Sequence, residues 1–306
     1  MRKWLRHLPV KGCTEMVKIE KGWSRDEKYV LWTSQGIRYL LRVSDIRERE
    51  AKEREFKAME KMAGLGIPMS KPLWMKALPE DGKVLMLLSW IEGDTLEDVI
   101  QEHDPIEQYR FGVEAGKILA RIHSTAAPEG ISDWETRMRG KIGWHLAKYK
   151  ECGIRVEGDE AIQSFIESHM HLLENRTQSM QHGDYHIGNM VLKPDKTLGI
   201  IDFNRWDHGD PYEEFYKMVF FSRKKSIPFC KGQLKGYFGE GIPPDFHGLL
   251  ALYIADVALF SVVWAMPYGQ KEVDTMKDIA AMVYRDYAGF TKTVPGWMEG
   301  TGKEEK

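Results

Sequence analysis

A break at Glu92-Gly93-Asp94 separates two parts of different periodicity, and this change constrains the fold more than any other feature of the sequence. Before it, residues 14–20, 28–34, 37–43 and 84–91 are short runs rich in β-formers and read as strands. Gln35-Gly36 is a hairpin signal, and Pro79-Glu80-Asp81-Gly82 is a turn. Between the strands, residues 45–62 carry dense mixed charge, with Glu48/Lys52 and Glu53/Lys57 at i,i+4 spacing. That spacing predicts a helix, with a narrow buried stripe of Phe56, Met59, Ala63 and later Leu65, stopped by Gly64, Gly66 and Pro68. After the break the chain reads as mainly helical. Asp104-Pro105-Ile106-Glu107 opens a helix to about 124, with Asp as N-cap and Pro at N1. Ser132-Asp133-Trp134-Glu135 reads as a capping box for a helix to about 152, and 161–174 is a third. A β-and-loop stretch over 181–201 follows, then more helix after Pro211 and a polar tail beyond Pro295. At ~100–200 residues per domain, 306 residues suit two domains, divided here into 1–92 and 93–306.

Charge and cysteine content narrow the function classes. The formal charge is 44 − 46 = −2, without the basic excess of a general nucleic-acid binder. Cys13, Cys152 and Cys230 are few, odd in number and far apart, so they read as reduced thiols of a cytoplasmic protein. The basic N-terminus is not followed by the apolar run of a signal peptide. Residues 248–266 are apolar at sixteen of nineteen positions, close to a membrane span. Asp256 in the middle would cost about 2.5–3.5 kcal/mol there, and Pro267 follows at once, so a buried helix is expected rather than membrane attachment.

The chemistry is concentrated in His182-Gly183-Asp184-Tyr185-His186-Ile187-Gly188-Asn189 and Gly199-Ile200-Ile201-Asp202-Phe203. On one loop, a carboxylate accepts a proton from a hydroxyl, and a carboxamide oxygen five residues on ligates a hard cation. Lys193-Pro194-Asp195-Lys196 supplies a turn, so a hairpin returns Asp202 beside Asn189. One base, one amide oxygen and one metal carboxylate in this order make a phosphoryl-transfer site. Taken singly, each Asp or Asn reads equally as a backbone cap in a turn.

HGDYHIGNM with IIDF resembles the aminoglycoside phosphotransferase and choline kinase family, relatives of the protein kinases, and the likeness extends over about 17–288. Ile91-Glu92-Gly93, Ala120-Arg121-Ile122-His123 and Gly209-Asp210-Pro211 also match it. The resemblance implies an α+β, two-lobed, protein-kinase-like fold, with a small β-rich N-lobe and a larger helical C-lobe. It implies Asp184 as catalytic base, and Asn189 and Asp202 as holders of Mg²⁺ against the phosphates of ATP or GTP. His182 and His186 would brace the loop. Gly22 and Ser24 fall where the family covers the phosphates with a loop, although a plain hairpin turn is the alternative. Glu55 matches the family's ion-pairing Glu, against the alternative of one more solvated charge. Ser89, Trp90 and Ile91 would form the hinge whose backbone bonds the purine.

One position departs from the family. Where its phosphate-binding Lys is expected, this chain has Arg42. Strand alternation puts Tyr39, Leu41 and Val43 on one face and Leu40 and Arg42 on the other. On the second face Arg42 would meet the phosphates with Glu55 as partner; Lys18 or Lys28 would otherwise reach them from a neighbouring strand. The acceptor is less legible. Residues 182–214 hold seven acids against three bases, which suits either a cationic acceptor or acids at a helix start. Asp256 reads either as a lining residue or as a buried structural one. The expectation is a small-molecule kinase acting on an aminoglycoside-type or amino-alcohol hydroxyl, with macrolide, choline-like or homoserine-like acceptors as alternatives. It has no nucleic-acid or membrane partner. The rival, motivated by Arg42, is a pseudokinase that binds nucleotide without turnover.

Overall fold

The computed structural model describes residues 3–20 and 26–299. The chain divides into two compact units. One runs to Asp94 and also takes in Asn189–Trp206; the other comprises Thr95–Gly188 and the chain from Asp207 onward. The observed units differ from the division expected after Glu92 in two respects: the boundary falls after Asp94, and the hairpin after the His182 loop belongs with the N-terminal unit.

In the first unit, β1 (Cys13–Ile19), β2 (Glu27–Thr33), β3 (Arg38–Asp45), β4 (Pro72–Leu78) and β5 (Lys83–Ser89) form one antiparallel sheet in the order β1-β2-β3-β5-β4. One face packs Tyr29, Leu31, Leu41, Val43, Leu85 and Leu87 around Trp4 and Leu78. The helix α1 (Arg49–Gly64) presents Lys52, Glu55, Ala58, Met59 and Met62 inward. Phe56 and Ala63, expected in its stripe, are only half-buried, and Leu65 is exposed. The sequence reading has no counterpart for β4. It is an edge strand, so it tolerates Pro72 at its first position and leaves Leu73 exposed, which hides the usual alternation.

After the short strands β6 (Asp94–Thr95) and β7 (Ser179–Gln181), the hairpin of β8 (Met190–Leu192) and β9 (Leu198–Ile200) is tied to this unit by main-chain bonds. Ile200 N–H donates to the Pro68 carbonyl at 2.7 Å, and its own carbonyl accepts from Ser70 N–H at 3.1 Å. Gly93 lies against the same hairpin at φ +134°; a Cβ there would stand 2.1 Å from the Leu192 carbonyl oxygen, so only glycine fits.

In the second unit, the short α2 (Leu96–Val99) precedes α3 (Pro105–His123), which starts as expected, with Asp104 accepting from Ile106 and Glu107 N–H. For α4 (Trp134–Glu151) the N-cap is Asp133, which accepts from Thr136 N–H, and not Ser132. After α5 (Asp159–His169), the helix expected after Pro211 is present in irregular form, a 3₁₀ turn at Glu213–Phe215 running on through residues 216 and 217 into a π turn at Met218–Ser222, and α6 (Ile227–Phe238) follows. Helices α3 and α6 cross with their backbones in contact: a Cβ on Gly112, Gly116, Gly232 or Gly236 would lie 2.0–2.1 Å from a carbonyl oxygen of the opposite helix. The apolar helix is α7 (Phe246–Ala265), with fourteen of twenty residues buried, followed by α8 (Gln270–Asp286). It is the one described helix long and apolar enough to cross a membrane, and it packs as a core helix. Asp256, in its middle, is fully buried and bonds His145 Nδ1 of α4 at 2.8 Å, so its role is structural.

Candidate active site

The loop after β7 (Ser179–Gln181) is held by one carboxylate. Glu214, nearly fully buried, accepts from the main-chain N–H of both His182 and Gly183, and also bonds His123 Nε2 at 2.9 Å. His123 in turn bonds the Tyr237 hydroxyl. His182 is completely buried, and its Nδ1 accepts from Asp184 N–H at 3.2 Å. Tyr185 donates its hydroxyl to the Ala115 carbonyl of α3 at 2.7 Å, and Ile187 N–H donates to Ser222 Oγ. His186 accepts from Gly188 N–H; burial pushes its imidazole down to about 4, so it is neutral at pH 7. Both histidines brace backbone. In this scaffold the Asp184 carboxylate stays partly accessible and meets Lys217 Nζ at 2.8 Å.

Four residues beyond Asp184 the chain passes into the other unit. There the hairpin returns as expected: Ile201 N–H donates to the Asn189 carbonyl at 3.1 Å, so Asp202 follows immediately beside Asn189. Asp202 sits at φ +67°, an unusual conformation for a residue other than glycine. Its carboxylate is a quarter exposed and lies 3.2 Å from Lys28 Nζ.

Arg42 and Glu55 are also brought together, but deep in the unit rather than in the open. Arg42 Nη1 bonds Glu55, while Nε and Nη2 bond Asp26. Lys52 Nζ completes the cluster, 2.9 Å from Asp26 and 3.2 Å from Glu55. Burial works against every one of these charges, yet the pairing wins: Asp26 is held down to about 2 by Arg42 and Lys52, and Arg42 is pushed above its usual range by Glu55 and Asp26. Arg42, expected to meet the phosphates with Glu55 as partner, has that partner, and its other bonded nitrogens are held by Asp26. Lys18 pairs with Tyr29 in the β1–β2 ladder and shares the face of the apolar cluster, opposite to that of Arg42.

A cleft of about 420 Å³ is lined by Met69, Ser89, Trp90, Ile91, Glu92 and the Lys193-Pro194-Asp195 turn. Ser89 does not offer its backbone there. Its N–H donates to the Lys71 carbonyl, its carbonyl accepts from Ser70 Oγ, and its own Oγ accepts from Lys71 N–H. Ile91 carries no such bonds among the described residues. Gly22 and Ser24 lie outside the described residues.

The family model described as "Phosphotransferase enzyme family" matches residues 15–252. The chain belongs to that family. Among solved structures, a thermostable variant of aminoglycoside phosphotransferase APH(4)-Ia aligns at 16% identity over 94% of this chain and 100% of its own, with a TM-score of 0.68. The GDP complex of aminoglycoside 2′-phosphotransferase-IIIa aligns at 12% identity over 92% and 96%, with a TM-score of 0.68. A choline/ethanolamine kinase family protein from Mesorhizobium loti aligns at 14% over 94% and 95%, also at 0.68. At these identities the likeness is one of fold, a protein-kinase-like α+β architecture. No curated protein sequence matches the chain.

In this phosphotransferase the acid surplus around the loop is spent internally. Asp184 pairs with Lys217, Asp202 with Lys28, Asp207 with Arg137 and Glu213 with Lys141. Asp210 is buried against Arg176 and Tyr253, Glu214 holds the loop, and Asp195 bonds Thr197. For Glu213, burial alone would raise the carboxyl, but Lys141 holds it below the usual range. Asp26, Lys52, Lys217 and Glu214 carry no motif of their own, and sequence reasoning passed over their roles. Each earns its partner through the fold: Asp26 is sixteen positions from Arg42, and Glu214 is thirty-two from His182.

Proposed function

We propose that this protein transfers the γ-phosphoryl group of ATP or GTP to a hydroxyl of a small molecule. The observation that carries the reading is Asp184, an accessible carboxylate on a loop whose neighbouring N–H groups are clamped by buried Glu214. A loop fixed in this way keeps the carboxylate in place for a hydroxyl, and positioning supplies much of the rate in phosphoryl transfer. Asp184 takes the hydroxyl proton as the acceptor oxygen bonds the γ-phosphorus and the nucleoside diphosphate leaves. Lys217, 2.8 Å away, holds the carboxylate in position.

The donor set fits Mg²⁺. The described residues hold no group of three or more Asp, Glu, His or Cys that would cage a metal. Mg²⁺ needs no such cage when phosphate oxygens and water complete its shell. Asn189 and Asp202, adjacent on the hairpin, would hold it, and it would neutralise charge developing on the phosphates. The base would rest in the hinge cleft against Ile91.

The acceptor class rests on the neighbours. APH(4)-Ia has been solved with ADP and hygromycin B, and another neighbour is an amicoumacin kinase. An aminoglycoside-type or amino-alcohol acceptor is therefore the reading. The acids around the loop add nothing to it, since each already has a partner within the protein.

The test is acceptor-dependent release of ADP or GDP across aminoglycosides and amino alcohols, with wild type and Asp184→Asn. Turnover should fall by about 10²–10⁴-fold in the variant, with nucleotide affinity little changed. Near wild-type turnover in Asp184→Asn would remove the assignment. Tight nucleotide binding with no acceptor-dependent turnover across the panel would favour a pseudokinase.

A further inference from the structure

We propose that Lys28, on β2, is the cation that grips the nucleotide phosphates in this protein, and that Arg42, at the corresponding position of β3, has been withdrawn into a buried, self-neutralised ion cluster. The proposal rests on the phosphotransferase reading above and deepens it.

Lys28 and Arg42 are direct partners in the β2–β3 ladder, so their side chains leave the sheet on the same face. Their surroundings differ completely. Arg42 is 3% exposed, and its three bonded nitrogens face two carboxylates. Asp26, Glu55, Arg42 and Lys52 sum to zero formal charge. Pulling the guanidinium toward a phosphate would strip two buried carboxylates of their partner, and uncompensated buried charge costs more than one charged hydrogen bond to phosphate returns.

Lys28 has the opposite character. Its ammonium contacts one partner among the described residues, Asp202 at 3.2 Å, and both side chains reach solvent. Asp202 is the carboxylate we assign to Mg²⁺. A divalent ion attracts that carboxylate more strongly than a single ammonium does. Lys28 is then left beside the metal-bound phosphates, one strand over from the usual position. A lysine suits this role, because a flexible point charge follows the phosphate oxygens without a fixed fork.

The experiment measures nucleotide affinity by calorimetry, using ATP and GTP with Mg²⁺ and the corresponding nucleosides. If wild type binds neither nucleotide, the phosphotransferase reading fails and this proposal fails with it. If wild type binds, Lys28→Met should weaken Mg²⁺–nucleotide binding by about tenfold or more. It should leave nucleoside affinity unchanged, and Lys28→Arg should recover part of the loss. Arg42→Lys should melt at a lower temperature, yet bind Mg²⁺–nucleotide within about threefold of wild type below its melting point. Unchanged nucleotide affinity in Lys28→Met would overturn the proposal while leaving the phosphotransferase reading intact. Loss of nucleotide but not nucleoside binding in folded Arg42→Lys would return the role to Arg42. Should Arg42→Lys not fold, Lys28→Met against wild type decides alone.

Discussion

At Asp26 two effects compete. Burial favours the neutral carboxyl, and the Arg42 and Lys52 charges favour the anion; the anion wins, with the acid held at about 2 against an ordinary 3.8. A carboxyl depressed in the folded state stabilises it above the unfolded value and loses that contribution as pH falls toward the folded one. For this shift the contribution is about 2 kcal/mol. Asp26→Asn removes the charge while keeping the shape and leaves Arg42 and Lys52 with Glu55 and, for Lys52, the more distant Glu48. We expect urea denaturation at pH 7 to show a loss of about 3–5 kcal/mol. The gap between wild type and variant should narrow as pH falls from about 4 to 2. A gap independent of pH would mean that Asp26 is not ionised in the native state. The same reasoning explains why Arg42 is Arg: its fork spans two carboxylates at once, which a lysine ammonium does less well.

At the scale of elements, the α3–α6 crossing decides how the Asp184 loop is held. Tyr185 anchors to the Ala115 carbonyl within α3, and His123 at the end of the same helix bonds Glu214. The crossing itself depends on glycine. A Cβ on Gly116 would meet the Gln233 carbonyl oxygen at 2.1 Å and Tyr237 N at 2.7 Å, which are backbone atoms that cannot swing aside. Gly116→Ala gains about 1 kcal/mol of helix propensity, but the forced separation of the helices costs about 1–3 kcal/mol or more. A net loss of stability is expected. Gly140 in α4 is the control, with nothing within 4 Å of its Cβ position, so Gly140→Ala should be neutral or stabilising by up to about 1 kcal/mol. Melting temperatures of the two variants moving in opposite directions would bear this out. Equal shifts would show that α3 and α6 do not touch at Gly116.

For the whole molecule, the notable feature is a first unit built from two separate stretches of chain. The N-terminal stretch leaves Pro68, Ser70 and Gly93 bonded to or packed on Ile200 or Leu192, 99 to 132 positions further along. A fragment ending at Asp94 would lose those bonds and bare the surface that β8 and β9 cover. We expect residues 1–94 alone to lack a cooperative thermal transition by near-ultraviolet circular dichroism. Joining residues 189–206 to them through a short Gly/Ser linker should restore one. A sharp transition in the fragment alone would show that the hairpin is dispensable for folding. The family match covers both stretches, 15–252, so the discontinuity lies within the family's own domain.

The sequence by itself determined what is local. The Asp104 cap, the strands around Gln35-Gly36 and the turn that brings Asp202 back to Asn189 depend on residues close in the chain, where spacing and turn chemistry suffice. The HGDYHIGN and IIDF pair is legible for the same reason, since order and spacing alone carry it. The edge strand β4 escaped because one-sided pairing relaxes the pattern that marks a strand. Only the tertiary structure decided which charges meet. Arg42 looks available on its strand and is sequestered by Asp26; Ser89 looks like hinge backbone and is bonded to Ser70 and Lys71; seven acids look like a surplus and are all engaged. Charge pairing depends on distance through space and on burial, and neither can be read from position along the chain until the chain has folded.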